Sequence, residues 1–304
     1  MRRNLRRTGM KASDFRGIIP PMMTAFTEDG ELYEKGTREM VDFIVPHVHG
    51  LYPCGTYGSG PMMSIAERKR AAEIILDQTK GRVPVIVHVG TADTRNTIEL
   101  ARHAESIGSK AVGAITPYYN SYNEDAIFVH FQRLIHAVNI PVFLYNNPKV
   151  SGNSVSPELL VRLAKEGLGG VKDSSFDIVN YYHSQIALQK FPELNLIVGT
   201  EAILVAAFDA GAKAAVTGLG NVYPELIRKL YDACLQGDRG KLMQIQREVL
   251  MVRQITKYGP TVPTCHAILK LRGIDAGYPR LPFTPLSAET EKRVKDALQK
   301  LGLL

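Results

Sequence analysis

Residues 140–175 read IPVFLYNNPKVSGNSVSPELLVRLAKEGLGGVKDSS. The stretch opens on a short apolar run (140–148) and closes on a second (169–175), each bounded by glycine, proline or polar residues. Runs this short and this continuously apolar are what strands buried on both faces require. Between them, Ser156-Pro157 precedes ELLVRLAKEG. A serine at the cap, a proline in the first turn and Gly167 just past the end are the start and stop chemistry of a helix. Strand, helix and strand with short connections predict two parallel strands joined by a crossover helix.

The same unit recurs along the chain. Further apolar runs lie at 17–26, 50–55, 83–90, 110–117, 194–200 and 213–220. Helix-length segments separate them, with recognisable openings. Ser64 is followed three residues later by Glu67, a possible capping box, and Thr94 leads a periodic segment that stops at Gly108. Asn123, Phe176 and Tyr223-Pro224 sit near the openings of the others. Eight such units over about residues 17–236 predict an α/β fold, a closed (β/α)8 TIM barrel spanning residues 15–236. Residues 237–304 lack a strand pattern and predict a three-helix C-terminal extension of the same domain, its last helix running from about Ser287 to Leu301. An open doubly wound sheet is the competitor, but no GxGxxG follows the first run.

Composition is that of an ordinary globular chain: 304 residues, 45% hydrophobic and 22% charged. Five of the seven excess positive charges lie in residues 1–11, MRRNLRRTGMK. Residues 1–14 therefore read as a basic tail outside the fold; with no apolar segment behind it, the tail is not a signal peptide. No apolar run approaches the length of about 18 residues that spans a bilayer. The three cysteines, Cys54, Cys234 and Cys265, are far apart and form no CxxC pair, as expected of free thiols. A cytoplasmic protein that binds neither nucleic acid nor membrane is the expectation.

In such a barrel the working residues stand at the C-terminal ends of the strands. Lys172 ends an otherwise apolar run, which would place its amine in the barrel mouth. Desolvation there disfavours the ammonium and frees a nucleophilic amine; the alternative is a lysine that pairs with Asp173 or Glu201 to hold the rim together. Tyr145 ends the preceding run, so its phenol would lie beside Lys172, where it can relay protons or merely cap the core. CGTYGSGP (54–61) has three glycines before a helix, enough to let backbone amides cradle an anion, or simply to make a tight turn. His88 reads as a core histidine and Cys54 as a small buried hydrophobe. His47 and His49 precede the second run, on the face of the barrel opposite the chemistry. No Cys/His/Asp/Glu cluster has metal-ligand spacing, so no metal is expected.

Taken in order, GTYG (55–58), TPYY (116–119), YNNP (145–148) and GVK (170–172) resemble the N-acetylneuraminate lyase and dihydrodipicolinate synthase superfamily, pyruvate-dependent class I aldolases. GIIPPMMTAFTEDGEL (17–32) and GYPRLPFTPLS (277–287) resemble that family's ends. The resemblance implies that Lys172 forms a Schiff base with the ketone of pyruvate or a larger keto acid, with no separate cofactor. It implies that Tyr145 shuttles protons with Thr56 and with Tyr119, which in this family can reach a neighbouring subunit's site. Gly55, Tyr57, Gly58, Ser174, Glu201 and Thr217 are the implied substrate-binding residues, pyruvate and an aldehyde the implied partners, and a homotetramer built as a dimer of dimers the implied assembly.

Departures from the family pattern bear on the substrate. The synthase branch usually has a second threonine where this chain has Tyr57, and an arginine where it has Val150; neighbouring Lys149 is expected to point away. The lyase branch usually has an acidic pair where this chain has Glu201 followed by Ala202. GTYGSGPMMS (55–64) is similar to the corresponding loop of 2-keto-3-deoxygluconate-type aldolases. The expectation is therefore cleavage of a 2-keto-3-deoxy sugar acid. Dihydrodipicolinate synthase, neuraminate lyase and a weakened keto-acid sensor stand as alternatives. TGLGN (217–221) also admits a phosphate-binding isomerase, though nothing supplies it with a paired base.

Overall fold

The computed structural model describes residues 9–237 and 239–304. Seven strands form one sheet: β1 (Gly17–Ile18), β2 (Ile86–His88), β3 (Ala111–Ile115), β4 (Val142–Asn146), β5 (Gly170–Asp173), β6 (Asn195–Val198) and β7 (Ala214–Ala215). Every pair is parallel, in the order β1-β7-β6-β5-β4-β3-β2. The second apolar run lies between the two ends of that order. Tyr52 N–H donates to the Pro20 carbonyl (2.9 Å) on the β1 side. On the other side Leu51 N–H donates to Pro84 (3.0 Å), and the Leu51 and Pro53 carbonyls accept from Ile86 (2.9 Å) and His88 (3.0 Å). Residues 51–53 thus close the ring as an eighth stave. That stave holds one ladder bridge, Leu51 to Val85, rather than a full strand. Pro53 within it, and Pro20, Pro21 and Pro84 beside it, lack the N–H groups a longer ladder needs.

Helix starts follow the sequence signals closely. Ser64 and Glu67 form the reciprocal capping box, and the Ser156 hydroxyl accepts from Leu159 N–H (3.1 Å). The third helix begins at Thr94, as read, and its cap is the preceding Asp93, whose carboxylate accepts from Asn96 N–H at 2.9 Å.

Side chains pack in two layers. Inside the lower barrel, Phe15, Ile19, Ile86, Phe143, Ile197 and Val216 meet, with the Phe15 and Phe143 rings edge to face at 5.5 Å. Burying each large apolar side chain there contributes on the order of 1.5–3 kcal/mol. Gly113 is required at its position, because a Cβ would run into the Tyr52 phenol. The larger cluster fills the space between strands and outer helices.

The barrel floor extends the fold toward the N-terminus. Ala12–Asp14 is a 3-10 turn with Ala12 buried, and the Asn195 amide donates to the carbonyls of Ala12 (3.0 Å) and Phe15 (2.7 Å). Residues 12–14 therefore belong to the fold and not to the basic tail drawn through residue 14; residues 1–8 lie outside the described residues. Beyond the last barrel helix, Pro224–Gln236, come the helices Arg239–Ile255, Thr261–Leu271 and Ala288–Lys300. The first returns to the mouth of the barrel, where the Gln246 amide donates to the Glu201 carbonyl (3.1 Å). No helix among the described residues is long and apolar enough to cross a membrane.

Candidate active site

Tyr145 and Lys172 are direct partners in the β4–β5 register. Partners in a parallel pair project to the same side of the sheet, here into the barrel mouth. Each is only 4% exposed. The Lys172 Nζ lies 3.3 Å from the Tyr145 ring centroid and 4.7 Å from that of Tyr52, so the cation is held by aromatic faces.

No carboxylate among the described residues pairs with Lys172. Asp173 accepts instead from Ser175 N–H (2.7 Å) and the Asn180 amide (3.2 Å), and Glu201 is taken by Arg253. The rim ion pair that the sequence left open is not formed. Burial lowers the Lys172 amine from its ordinary value, against the opposing pull of Tyr145. For the Tyr145 phenol burial is the largest influence and raises it. The charge of Lys172 and hydrogen bonds from Thr56 and Asn147 outweigh burial, and the phenol is lowered. An amine and a phenol drawn toward each other in this way are suited to exchanging a proton.

The Tyr145 Oη accepts from Asn147 Nδ2 at 2.8 Å and meets the Thr56 hydroxyl at 3.5 Å. Thr56 is delivered by a loop with little freedom. Cys54 and Ser59 hold φ of 61° and 53°, the Thr24 hydroxyl donates to the Gly58 carbonyl (2.9 Å), and Gly60 N–H to the Gly55 carbonyl (3.0 Å). A Cβ on Gly58 would lie 2.8 Å from both Cys54 N and the Met22 carbonyl, and one on Gly60 would collide with the Cys54 carbonyl. These glycines shape the loop; they do not themselves line the cavity.

Behind the pair, His88 is fully engaged. Its Nε2 accepts from Ile115 N–H (3.2 Å), and its Nδ1 lies 3.1 Å from the Cys54 carbonyl. Burial, together with neighbouring Arg68 and Lys172, holds it well below the ordinary histidine range. A neutral core histidine is what these contacts make of it. His49 accepts from Ile18 N–H (3.1 Å) at the opposite end of the barrel.

A cavity of about 560 Å³ opens over Lys172. Of the residues expected from sequence, it brings together Lys172, Tyr145, Thr56, Tyr57, Ser174 and Glu201. Thr217 is not among them. It is fully buried with its hydroxyl unpartnered, and the next residue, Gly218, lines the wall in its place. Tyr119 is also absent: it is 95% exposed, with a left-handed φ of 82°. Lys149, expected to point away, lines the cavity beside Val150.

Sequence reading missed Asn147 as the partner of Tyr145, and Tyr52 beneath Lys172. It also missed the wall supplied by the C-terminal helices: Arg253, Thr256, Lys257 and Thr261. Arg253 donates through Nε to Glu201 Oε1 (2.9 Å), while Glu201 Oε2 accepts from Gly218 N–H (3.1 Å). Among the described residues no group of three or more His, Cys, Asp or Glu is arranged to hold a metal ion.

Similarity to known proteins runs over nearly the whole chain. The family model for the dihydrodipicolinate synthetase family matches residues 14–301. The chain is 38% identical to a DapA-like lyase of Halobacterium salinarum over 95% of this chain and 94% of the relative. It is 33% identical to the 4-hydroxy-tetrahydrodipicolinate synthase of Methanopyrus kandleri, over 95% and 97%. Among solved structures, YagE of E. coli K12, a prophage protein of the dihydrodipicolinic acid synthase family in complex with pyruvate, superposes with a TM-score of 0.91. The identity there is 29%, covering 95% of this chain and 99% of that one.

Proposed function

The chain belongs to the dihydrodipicolinate synthetase family, whose members are pyruvate-dependent lyases and synthases, and we propose that it is a class I aldolase acting through Lys172. On this reading it reversibly cleaves a 2-keto(-3-deoxy) sugar acid to pyruvate and an aldehyde. The observation that carries the proposal is the buried Lys172–Tyr145 pair, an amine with no carboxylate partner against a phenol with two hydroxyl-directed contacts.

Lys172 Nζ adds to the substrate ketone, and loss of water from the carbinolamine gives a protonated imine. Tyr145 carries the protons that the addition releases and the dehydration consumes, with Thr56 in reach to pass them on. The C4 hydroxyl then gives up its proton, the C3–C4 bond breaks, and its electrons flow into the imine to leave an enamine and the free aldehyde. Protonation at C3 and hydrolysis return pyruvate and the lysine. The Thr56 and Tyr57 amides and the Ser174 hydroxyl are the groups proposed to hold the keto-acid carboxylate, with Glu201 on the wall facing the sugar hydroxyls.

Tyr57 and Val150, which replace residues typical of the synthase branch, support a sugar-acid substrate. Condensation of pyruvate with aspartate semialdehyde is a second reading, favoured by one observation: Lys149, Arg253 and Lys257 line the cavity and could meet that aldehyde's carboxylate. We propose a homotetramer, supported by the exposed Tyr119 held in a strained conformation that isolated chains gain nothing from.

Borohydride reduction in the presence of pyruvate tests the chemistry. A stable adduct mapped to Lys172 is expected; no adduct at saturating pyruvate would overturn the class I assignment.

A further inference from the structure

The phenol of Tyr145 has one proton to give and two lone pairs to fill, and its neighbours decide which way that proton moves. Lys172 faces it from β5, Tyr52 from residues 51–53 and His88 from β2, the last two with ring centroids 6.2 and 6.0 Å away. Tyr57 stands nearby on the loop that carries Thr56. Burial keeps His88 neutral and holds the Tyr52 and Tyr57 phenols well above their ordinary value, so Lys172 is the one charge among these groups. That leaves the polar contacts of the oxygen itself. The Thr56 hydroxyl stands at 3.5 Å, while the Asn147 amide donates through Nδ2 at 2.8 Å.

Asn147 is a costly side chain at this position. It is 7% exposed, and its Oδ1 has no partner among the described residues. A buried carbonyl left in that state destabilises the fold where an apolar side chain of the same size would not. The one hydrogen bond its side chain makes goes to Tyr145. Its main chain is pinned at the same time. The Asn147 carbonyl accepts from Val150 N–H (3.2 Å), Ser151 N–H (3.1 Å) and the Ser151 hydroxyl (3.1 Å), which closes the short helical turn Pro148–Ser151. The amide is thus aimed from the end of β4 back onto the oxygen of Tyr145.

We infer that Asn147 is a positioning residue for the proton relay: by donating to the Tyr145 oxygen it favours the phenolate and turns the phenol's own proton toward Lys172 and Thr56. This rests on the class I reading and deepens it. The phenolate accepts the C4 hydroxyl proton as the C3–C4 bond breaks and its electrons pass to the imine, and the phenol then returns a proton to C3 of the enamine. Asn147 sets the pH at which Tyr145 can do so. A hydrogen bond donated to the charged form lowers the pKa of a group, so removing it moves the ascending limb of activity to higher pH.

The test needs only pyruvate, because the same phenol exchanges protons at C3 of the pyruvate enamine. Loss of the pyruvate methyl signal in deuterium oxide is followed by proton NMR as a function of pH in the full-length enzyme, with borohydride trapping on Lys172 alongside. Asn147→Leu, which keeps the size and removes the donor, should slow exchange about 10-fold near neutral pH and move the ascending limb up by about one unit. The rate should recover at high pH, the Lys172 adduct should still form, and the melting temperature should stay level or rise because the unpartnered carbonyl is gone. Asn147→Asp puts an acceptor where the donor was and should move the limb in the same direction and further; it is the variant to read if Asn147→Leu does not fold. A limb unmoved in these variants, a loss equal at every pH, or trapping in the wild type without exchange overturns the inference. A limb moved to lower pH also overturns it, by showing that the amide carbonyl and not Nδ2 faces the phenol. In all of these, trapping on Lys172 leaves the class I reading standing; failure of trapping in the wild type overturns both.

Discussion

Replacing Tyr145 with phenylalanine removes one oxygen and leaves the ring. The ring face 3.3 Å from the Lys172 Nζ is therefore kept, and so is the packing against Tyr52 and His88 at centroid distances of 6.2 and 6.0 Å. What is lost is the acceptor of the 2.8 Å hydrogen bond from Asn147 and the 3.5 Å contact with Thr56. The Asn147 amide is left as a buried donor, which costs about 1–3 kcal/mol of stability. The chemical loss is larger. A positioned acid–base group contributes roughly 10²–10⁴-fold, so kcat for cleavage should fall by that factor. Amine availability should move the other way: the phenol raises the Lys172 amine against burial, and without it the amine is freer at neutral pH. Tyr145→Phe should therefore still yield the Lys172 adduct on prolonged borohydride trapping, but turn over slowly, and stopped-flow trapping beside a coupled cleavage assay separates the two. Cleavage at an unaltered rate would refute the proton relay. Complete loss of the adduct would show instead that the phenol is needed to hold the lysine.

Lys172→Ala should abolish turnover and adduct formation, while the melting temperature stays level or rises, because it removes a buried ammonium that has no carboxylate partner; retained activity would sink the mechanism. Gly60→Ala drives a Cβ into the Cys54 carbonyl, backbone against backbone, and should cost on the order of 3 kcal/mol in a denaturant titration as well as misplacing Thr56. Acid should destabilise the fold before the carboxylates titrate. Burial lowers His130 and His266 to about 4 from an ordinary 6.5. Between those limits the unfolded chain binds protons that the folded chain does not, so stability is fully present above about pH 6.5 and is lost as pH falls toward 4. The loss is on the order of 3 kcal/mol per histidine, and substituting either with glutamine should flatten the slope of melting temperature against pH across that window.

The barrel was legible because its strands are buried on both faces, so each apolar run marks one, and because caps such as Ser64 with Glu67 act locally. The second stave was legible as a run but not as an irregular one: the consequences of Pro20, Pro53 and Pro84 depend on which of them become neighbours. Tyr145 and Lys172 could be placed side by side because each ends a run and consecutive runs pair in register. Of the hydroxyl contacts of Tyr145, that with Thr56 was implied only by the family resemblance, and that with Asn147 was missed, since it depends on how the segment after β4 turns back on itself. Lys149, next to Val150, was expected to point away, but residues 148–151 form a short helical turn, and both residues line the cavity.

Arg253 shows the limit most clearly. On the Arg239–Ile255 helix it is one of several cations in an amphipathic pattern, and nothing in that periodicity separates a residue facing solvent from one facing the barrel mouth. Its position is set by contacts more than forty residues away in sequence, Glu201 to Arg253 and the Glu201 carbonyl to Gln246. Glu201 in turn opens a short 3-10 turn after β6, and its buried carboxylate would be costly without a cation. The loop after β6 and the C-terminal helix therefore require each other: the helix neutralises the loop, and the loop aims the arginine. The C-terminal helices therefore form part of the wall of the cavity over Lys172, the proposed catalytic chamber. A change that loosened the helix is expected to alter which aldehyde is accepted before it alters the proposed reaction at Lys172, because the lysine is held by β5 and by the rings of Tyr52 and Tyr145.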